Sequence, residues 1–328
     1  MDCAMNELSL VTGGAGFIGS HLVDGLVDQG RPVRVLDDFS TGLRDNLAHH
    51  PNLQIVEGSL TDPKSIAKAM RDVRVVYHLG ALASVARSVE NPVATHEACA
   101  TGTLNILNEA RKVGVRRVVY AASSSAYGGS SSAAGQTEDQ QVATLSPYAA
   151  AKMAGELYMQ AFAKTYGIET VRLRFFNIFG PRQRSDSPYS GVIALFTAAM
   201  CRGEIPTVHG DGLQSRDFTY VTNAVQALMK GAEAPDASGN VYNVGTGSSI
   251  TVLDLIAALN DLLGTDLVPQ HVETRAGDVK FSKADIRRTK LDLGYQPTVT
   301  FAQGLAKTLA WYRETLMFDA PTKKLQFA

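Results

Sequence analysis

A glycine-rich turn between a short apolar segment and an amphipathic one restricts the fold of this chain more than any other feature. Residues 8–12 are apolar enough for a buried strand, and the run Thr-Gly-Gly-Ala-Gly-Phe-Ile-Gly at 12–19 opens a helical pattern that ends near Gly30. Glycines at such a turn let the backbone approach a pyrophosphate, whose charge lies at the helix N-terminus. The pattern predicts the first strand–turn–helix unit of a dinucleotide-binding fold.

Segments of strand length alternate with helical patterns through the first half of the chain. Helical patterns are clearest at residues 101–112 and 148–166. Such alternation implies a parallel sheet covered on both faces, and right-handed crossovers make it a doubly wound α/β (Rossmann) fold with its ligand at the carboxyl ends of the strands. The predicted strands are residues 8–12, 32–36, 54–57, 73–79, 117–122 and 169–174.

The alternation becomes irregular after Phe176. Residues 180–188 are rich in Gly, Pro, Ser and Arg and indicate a loop, and the remainder mixes helices with short strands such as 206–208 and 241–244. We interpret this part as a smaller mixed α/β substrate-binding domain, some of whose segments return to the sheet. The predicted domains are 1–177 with about 215–248 for the dinucleotide, and 178–214 with 249–320 for the substrate.

Composition argues against several classes of protein. The net charge of −1 with scattered basic residues gives no nucleic-acid footprint, and no apolar run approaches the about 18 residues of a membrane span. The acidic start is unlike a signal peptide, the three cysteines are odd in number and far apart, and the seven histidines lack metal-ligand spacing. We expect a soluble, cytoplasmic protein without a membrane, nucleic-acid or metal partner.

An acidic residue at the end of the second predicted strand indicates which dinucleotide is bound. Asp37 lies 18 residues after Gly19, the spacing at which a carboxylate accepts hydrogen bonds from the adenosine ribose hydroxyls. The same carboxylate would repel a 2′-phosphate, so the sequence favours NAD over NADP. The alternative is an aspartate that only caps a helix.

Tyr148 and Lys152 lie four residues apart, and hence on one helix face, in Ser-Pro-Tyr-Ala-Ala-Ala-Lys. A free tyrosine has a pKa of about 10 and is a poor base at neutral pH, but a neighbouring ammonium group favours the phenolate. Together with the glycine-rich turn, the pair predicts redox chemistry on a hydroxyl or carbonyl group. The alternative for each residue alone is simple packing.

With these motifs in place, the chain resembles the extended short-chain dehydrogenase/reductase family over nearly its whole length. Within that family it is similar to the NAD-dependent nucleotide-sugar 4-epimerases, of the UDP-glucose and UDP-N-acetylglucosamine type. The further matching segments, in order, are His-Leu-Gly-Ala at 78–81, Ser-Ser-Ser-Ala-Tyr-Gly at 123–128, Phe-Phe-Asn-Ile-Phe-Gly-Pro at 175–181, Gly-Asp-Gly at 210–212, Arg-Asp-Phe at 216–218, Tyr-Asn-Val-Gly at 242–245 and Arg-Ala-Gly-Asp-Val at 275–279.

The resemblance implies a role for each matching residue. The implied catalytic residues are Ser123, Tyr148 and Lys152. The implied NAD-binding residues are Gly13, Gly16, Phe17, Ile18, Asp37, Asp38, Phe39, Ser40, Gly42, Ser59, Leu60, Leu79, Ala81, Tyr148, Lys152 and Phe175. For a UDP-sugar substrate they are Asn177, Arg216 and Arg275 at the diphosphate, Val192 and Thr207 at the uridine, and Ser84, Ser124, Asp278 and Ser282 around the sugar.

Two residues depart from the family pattern near the cofactor. Cys99 replaces the asparagine that usually stands three residues before Gly-Thr, and Ser59 replaces an aspartate in a segment that contacts adenine. We expect these changes to weaken or retune NAD binding and to leave the catalytic residues intact.

The resemblance implies C4 epimerisation of UDP-hexoses through a 4-keto intermediate, with no net redox change. Ser282 stands beside the 2-substituent of the sugar, where tyrosine accompanies enzymes restricted to UDP-glucose and UDP-galactose. The smaller serine implies that UDP-N-acetylglucosamine and UDP-N-acetylgalactosamine are also interconverted. The alternative is a loop serine without a role in selectivity. A homodimer through the helices at 101–112 and 148–166 is also implied.

Several rival functions share parts of this machinery. Family members that eliminate water carry Asp-Glu just after the catalytic Ser or Thr, and decarboxylases usually keep that glutamate, whereas Ser124 and Ser125 stand there in this chain. A UDP-glucuronate 4-epimerase shares the whole machinery and stays open. A dinucleotide-sensing binding protein without catalysis would be free to lose Tyr148 or Lys152, and both are present.

Overall fold

The computed structural model describes residues 7–130, 133–186, 190–274 and 279–319. The strands are β1 (Ser9–Thr12), β2 (Val33–Asp37), β3 (Leu53–Glu57), β4 (Val75–His78), β5 (Arg117–Ser123), β6 (Glu169–Phe175), β7 (Ile178–Phe179), β8 (Thr207–His209), β9 (Ser215–Arg216), β10 (Thr219–Tyr220), β11 (Val241–Val244), β12 (Ile250–Thr251), β13 (Gln270–Val272) and β14 (Phe281–Ser282). The helices are α1 (Phe17–Val27), α2 (Pro63–Met70), α3 (Val85–Glu90), α4 (Pro92–His96), α5 (Gly102–Val113), α6 (Pro147–Tyr166), α7 (Val192–Cys201), α8 (Val221–Glu233), α9 (Val252–Leu263), α10 (Arg287–Leu293) and α11 (Phe301–Asp319).

Seven strands form one parallel sheet in the order β3-β2-β1-β4-β5-β6-β11. The strand order reverses between β1 and β4, and in doubly wound sheets the ligand crevice lies at this switch point. The predicted Rossmann fold is therefore confirmed. The segment 241–244 is indeed one that returns to the sheet, since β11 pairs with β6 along its whole length.

The side chains of the sheet alternate between two apolar layers, as the period of a strand requires. In β1, Val11 packs in the layer that includes residues of α1 and α8, whereas Leu10 packs in the layer that includes residues of α2, α5 and α6. All four residues of β1 are buried, including the polar Ser9 and Thr12 at its ends. Helices on both faces thus place the functional side chains at the ends of the strands.

The C-terminal domain builds a third apolar cluster around α7, α9 and the first turns of α11. Phe179, Phe218 and Leu255 are buried in it. Short strands complete the domain: β12, β9 and β14 form one small sheet, and β8 pairs with β13. Within the described ranges, no helix combines the length and the apolar character needed to cross a membrane.

The limits of α6 follow from local sequence signals. Ser146 caps the helix by accepting a hydrogen bond from the Ala149 amide at 3.1 Å, and Pro147 fills the first helical position. Gly167 ends the helix in the left-handed conformation at φ 70°, which glycine adopts without steric cost. The predicted helix at 148–166 therefore begins one residue earlier than expected and ends where expected.

Candidate active site

One cleft of about 1740 Å³ lies at the carboxyl ends of the parallel strands. A pocket for a single small ligand usually measures roughly 300–1,000 Å³, so this cleft has room for a dinucleotide and a second nucleotide. The predicted site residues that line it are Gly13, Gly16, Phe17, Ile18, Asp37, Asp38, Ser40, Ser59, Leu60, Leu79, Ala81, Ser84, Ser123, Ser124, Tyr148, Lys152, Phe175, Asn177, Val192, Thr207, Arg216 and Ser282.

Four predicted residues are not in that set. Gly42 packs against the glycine-rich turn, where an added Cβ would lie 2.8 Å from the Ala15 carbonyl carbon. Phe39 packs against Arg44, whose Cζ atom lies 4.2 Å from the centroid of the Phe39 ring. Arg275 and Asp278 fall outside the residues that the structure describes.

The turn between β1 and α1 forms a cradle with no space for side chains. Gly13 adopts φ 67°, and a Cβ there would lie 2.8 Å from the backbone of Gly80. A Cβ on Gly19 would overlap the carbonyl oxygen of Gly13. Gly16 precedes α1, so the free amides of that helix face the cleft. This cradle and its exposed helix N-terminus fit the pyrophosphate of a dinucleotide.

Asp37 is fixed at the end of β2 by backbone amides. Its Oδ2 accepts a hydrogen bond from Ala15 at 2.9 Å, and its Oδ1 accepts one from Phe39 at 2.9 Å. Burial raises the pKa of this carboxyl group, against the lowering effect of the two amide hydrogen bonds. A carboxylate has about four acceptor positions, so Asp37 retains the capacity to accept two ribose hydroxyls. The residues present therefore fit NAD.

The three predicted catalytic residues come from two adjacent elements. Ser123 is the last residue of β5, while Tyr148 and Lys152 lie on the first two turns of α6. Because α6 packs against β5 and against the turn that follows it, all three side chains line the same part of the cleft. The structure thus brings together residues that are up to 29 positions apart (152 − 123) in the sequence.

The structure raises the pKa of Tyr148, whereas the sequence predicted that Lys152 would lower it. Burial raises the pKa of the phenol above its usual value, the charge of a Cys99 thiolate would raise it further, and a hydrogen bond from Ser123 lowers it. The predicted lowering by Lys152 is not among these causes. Burial therefore raises the pKa of Tyr148 on balance, and the hydrogen bond from Ser123 acts in the opposite direction.

Lys152 lies against the face of a buried tyrosine from β5. Its Nζ is 4.6 Å from the ring centroid of Tyr120, and the Tyr120 hydroxyl donates to the Lys152 carbonyl oxygen at 3.3 Å. Burial lowers the pKa of Lys152, partly offset by the negative charges available at Cys99 and Glu156. A cation over an aromatic face is stabilised by about 0.5–2 kcal/mol, which helps to keep a buried lysine charged.

A glycine on α6 makes room for that tyrosine. A Cβ on Gly155 would overlap the Tyr120 hydroxyl and lie 2.8 Å from its Cζ atom. The next residue, Glu156, accepts from Arg174 of β6 at 2.8–3.2 Å, and both side chains are almost fully buried. These contacts fix α6 against the sheet and with it the position of Lys152.

A chain of hydrogen bonds joins the carboxyl ends of β1 and β4 to α5. The Thr103 hydroxyl donates to the Cys99 carbonyl oxygen at 2.5 Å, so His78 Nε2 donates to Thr103 at 2.9 Å. His78 Nδ1 then accepts from Thr12 at 2.7 Å, and Thr12 accepts from the Gly80 amide at 3.1 Å. Burial, followed by the charge of Lys152, lowers the pKa of His78 to about 3. This histidine is a neutral structural link.

The residues predicted to face the substrate come mainly from the C-terminal domain and the strand ends. Val192 is the first residue of α7, and Thr207 begins β8. Arg216 of β9 and Ser282 of β14 are register partners in two parallel strands. Asn177, which follows β6, adopts φ 39° and donates to the Asp217 carbonyl oxygen at 3.3 Å.

Gln183 and Tyr120, at the cleft or behind it, were missed from the sequence, and Ser125 was considered only as the place of an absent carboxylate. Ser125 lines the cleft and contacts Ser123, and its place in the Ser-Ser-Ser run was the available signal. Gln183 lines the cleft with a buried Oε1 that has no hydrogen-bond partner among the described residues. Tyr120 gave no signal, because an aromatic residue on a strand indicates a core position. Within the described ranges, no group of three His, Cys, Asp or Glu residues could hold a metal ion.

The sequence and the structure were compared with known proteins. Residues 9–245 match the model of the NAD dependent epimerase/dehydratase family. The chain is 36% identical over 310 residues to a UDP-glucose 4-epimerase from Mycolicibacterium smegmatis, covering 93% of this chain and 98% of that protein. It is 32% identical over 324 residues to a UDP-N-acetyl-alpha-D-glucosaminuronate decarboxylase from Bacillus cytotoxicus, covering 94% and 99%.

A solved structure supports the same conclusion. The UDP-N-acetylglucosamine 4-epimerase from Methanobrevibacter ruminantium, in complex with UDP-N-acetylmuramic acid, superposes with a TM-score of 0.90 at 36% identity, covering 94% of this chain and 99% of that one. The family model spans well over half of the sequence, and the relatives align along almost all of it. The chain therefore belongs to the NAD-dependent epimerase/dehydratase family.

Proposed function

We propose that this protein is an NAD-dependent C4 epimerase of UDP-hexoses. The observation that carries the proposal is the convergence of Ser123, Tyr148 and Lys152 on one cleft that also contains a dinucleotide cradle. The relatives of known function include 4-epimerases for glucose and N-acetylglucosamine nucleotides. UDP-glucose with UDP-galactose, and UDP-N-acetylglucosamine with UDP-N-acetylgalactosamine, are the proposed substrate pairs.

Proton transfer is assigned to Tyr148. Its phenolate takes the proton of the sugar 4-hydroxyl and returns it when the 4-keto group is reduced from the opposite face. Ser123 donates a hydrogen bond to the reacting oxygen, and Lys152 supplies a positive charge that stabilises the phenolate. The ketose has to turn over between the two half-reactions, so tight binding belongs at the UDP group, with the hexose free to rotate.

NAD supplies the group that accepts a hydride from carbon 4 and gives it back. The turn around Gly13 and Gly16 would hold its pyrophosphate, and Asp37 would accept hydrogen bonds from its adenosine ribose. Cys99 and Ser59 are the two departures near the cofactor. The Cys99 side chain is buried beside Tyr148 and Ala151, whereas the Ser59 hydroxyl is within 2.9 Å of Thr61 at the edge of the cleft.

The residues after Ser123 argue against elimination and decarboxylation. Ser124 and Ser125 line the cleft where dehydratases carry Asp-Glu and decarboxylases usually carry the glutamate. A hydroxyl group at this point cannot serve as the carboxyl acid or base that loss of water requires. A decarboxylase is nevertheless among the relatives, so the assay has to include a uronate substrate.

Dimerisation and location in the cytoplasm stay proposals. Leu157 and Tyr158 of α6 are 57% and 38% exposed although apolar, which supports a second copy packing on this helix face. The net charge near zero, at −1, agrees with a protein that binds small molecules in solution. Size-exclusion chromatography with light scattering gives the oligomeric state directly.

The decisive experiment is a panel of UDP-glucose, UDP-N-acetylglucosamine and UDP-glucuronate, with the products identified by NMR. Inversion at carbon 4 without added cofactor is the expected result for the first two. A 4-keto-6-deoxy sugar would identify a dehydratase, and a UDP-pentose with release of carbon dioxide would identify a decarboxylase. Inversion of the uronate alone would assign the enzyme to UDP-glucuronate.

A further inference from the structure

The hydroxyl of Ser125 is held against the catalytic serine. Ser125 Oγ donates to Ser123 Oγ at 2.8 Å, and the Ser125 amide reaches the same oxygen at 3.2 Å. A hydroxyl oxygen has two acceptor positions and one proton to donate. With both acceptor positions of Ser123 occupied by Ser125, the proton of Ser123 has to be donated to another group.

That other group lies on the cleft side. Ser123 and Tyr148 both line this side, and the effect of Ser123 on the phenol is to lower its pKa, against the larger effect of burial. The contacts therefore run in one direction, from Ser125 to Ser123 and from Ser123 to the phenol oxygen. Reversing the first contact would leave Ser123 without a proton for the second.

The backbone that carries Ser125 is rigid. The turn at Ser124–Tyr127 is closed by a hydrogen bond from the Gly128 amide to the Ser125 carbonyl oxygen at 3.2 Å. Ala126 accepts from the Ala143 amide at 2.9 Å, and the buried Tyr127 donates to Asn243 at 2.7 Å. A turn fixed on three sides holds Ser125 in place throughout the reaction.

We propose that Ser125 is a positioning residue for the reaction, which commits the Ser123 proton to the reacting oxygens. The proposal rests on the proposed function, since it assigns Ser123 and Tyr148 their catalytic roles. It explains why a serine, and not only the absence of a carboxylate, stands at this position. It also keeps the Ser123 proton available to stabilise the Tyr148 phenolate, alongside the positive charge assigned to Lys152.

The test compares Ser125→Thr with Ser125→Val, which have nearly the same shape but differ in the hydroxyl. Threonine is expected to keep kcat within about twofold of the wild type, whereas valine lowers it roughly 3- to 10-fold, the effect of one hydrogen bond. The acid limb of the kcat–pH profile moves to higher pH in the valine variant, because its phenolate is less stabilised. KM for the UDP-sugar stays unchanged.

If the valine variant does not fold, Ser125→Ala replaces it in the comparison with Ser125→Thr, because alanine adds no atoms. The alanine variant is expected to show the same lowered kcat and the same shift of the pH profile as valine. Equal kcat and equal pH profiles for threonine and the hydroxyl-free variants would overturn the proposal. So would a change confined to KM, which indicates a substrate contact instead. Wild-type protein inert toward every UDP-hexose would overturn the proposed function itself, and active wild type with indistinguishable variants would overturn the role of Ser125 alone.

Discussion

Gly155→Ala should destabilise the protein although alanine is the better helix former. In the middle of a helix the exchange normally adds about 1 kcal/mol to the free energy of unfolding. At this position the new Cβ would lie 2.8 Å from Tyr120 Cζ and overlap its hydroxyl. Tyr120 is fully buried, so the ring has no free space to move into.

The expected change follows from three contributions. Overpacking a filled core costs about 1–3 kcal/mol, and loss of the hydrogen bond from Tyr120 to the Lys152 carbonyl costs about 1 kcal/mol. Helix propensity returns about 1 kcal/mol, so the net loss of unfolding free energy is about 1–3 kcal/mol. Displacing the ring also removes a contact of the Lys152 ammonium, so kcat falls as well.

Gly25→Ala is the matched control. A Cβ on this α1 glycine would lie 3.4 Å from Val225 Cγ1 and 3.8 Å from Met229 Sδ, at ordinary contact distances. This variant should gain up to about 1 kcal/mol and keep its activity. Urea unfolding followed by circular dichroism measures both proteins. A Gly155→Ala variant as stable as Gly25→Ala would show that the fit between Tyr120 and α6 is not tight.

Three further sets of changes test the site, and a fourth tests the buried His78 behind it. Tyr148→Phe should lower kcat by about 10²–10⁴-fold with UDP binding intact, and retention of more than about a tenth of the activity would require another base. The purified protein should release NAD on denaturation, and Asp37→Ala should lose it; dependence on added NADP would refute the role of Asp37. Ser282→Tyr should exclude the N-acetylated sugars and spare UDP-glucose, whereas equal losses on both would remove Ser282 from selectivity. His78 is neutral in the fold, where its pKa is about 3, whereas in the unfolded chain its pKa is about 6.5. Below pH 6.5 the unfolded chain therefore binds a proton that the folded protein does not, and the free energy of unfolding falls by about 1.4 kcal/mol per pH unit. Urea titrations from pH 7 to pH 4 should show this slope reduced in His78→Gln.

The sheet could be predicted because its determinants are local. In β5 a nearly continuous apolar run follows Arg117, and in β6 Val171, Leu173 and Phe175 alternate with polar residues, so the predicted residues 117–122 and 169–174 correspond closely to these strands. The helix at 101–112 was placed within one residue for the same reason. The two-residue strands β9, β12 and β14 have no period to detect, since their pairing depends on partners distant in sequence.

Most residues predicted for the site line the cleft, but their interactions could not be predicted from the sequence. The spacing of Tyr148 and Lys152 gave their common helix face, but burial, which sets the direction of both pKa shifts, depends on the whole fold. The contact between Tyr120 and Lys152 joins a strand and a helix that are 32 positions apart (152 − 120). Sequence spacing gives no information on such a contact.

The register between β9 and β14 fixes the spacing between two residues proposed to contact the substrate. Arg216, proposed at the diphosphate, and Ser282, proposed at the sugar, are direct partners on neighbouring strands, whose backbones lie about 4.8 Å apart. In the proposed binding mode, this register keeps the contacts for the diphosphate and for the sugar at a fixed spacing. We therefore propose that a single substitution at position 282 can change which sugar is accepted without changing how the nucleotide is bound.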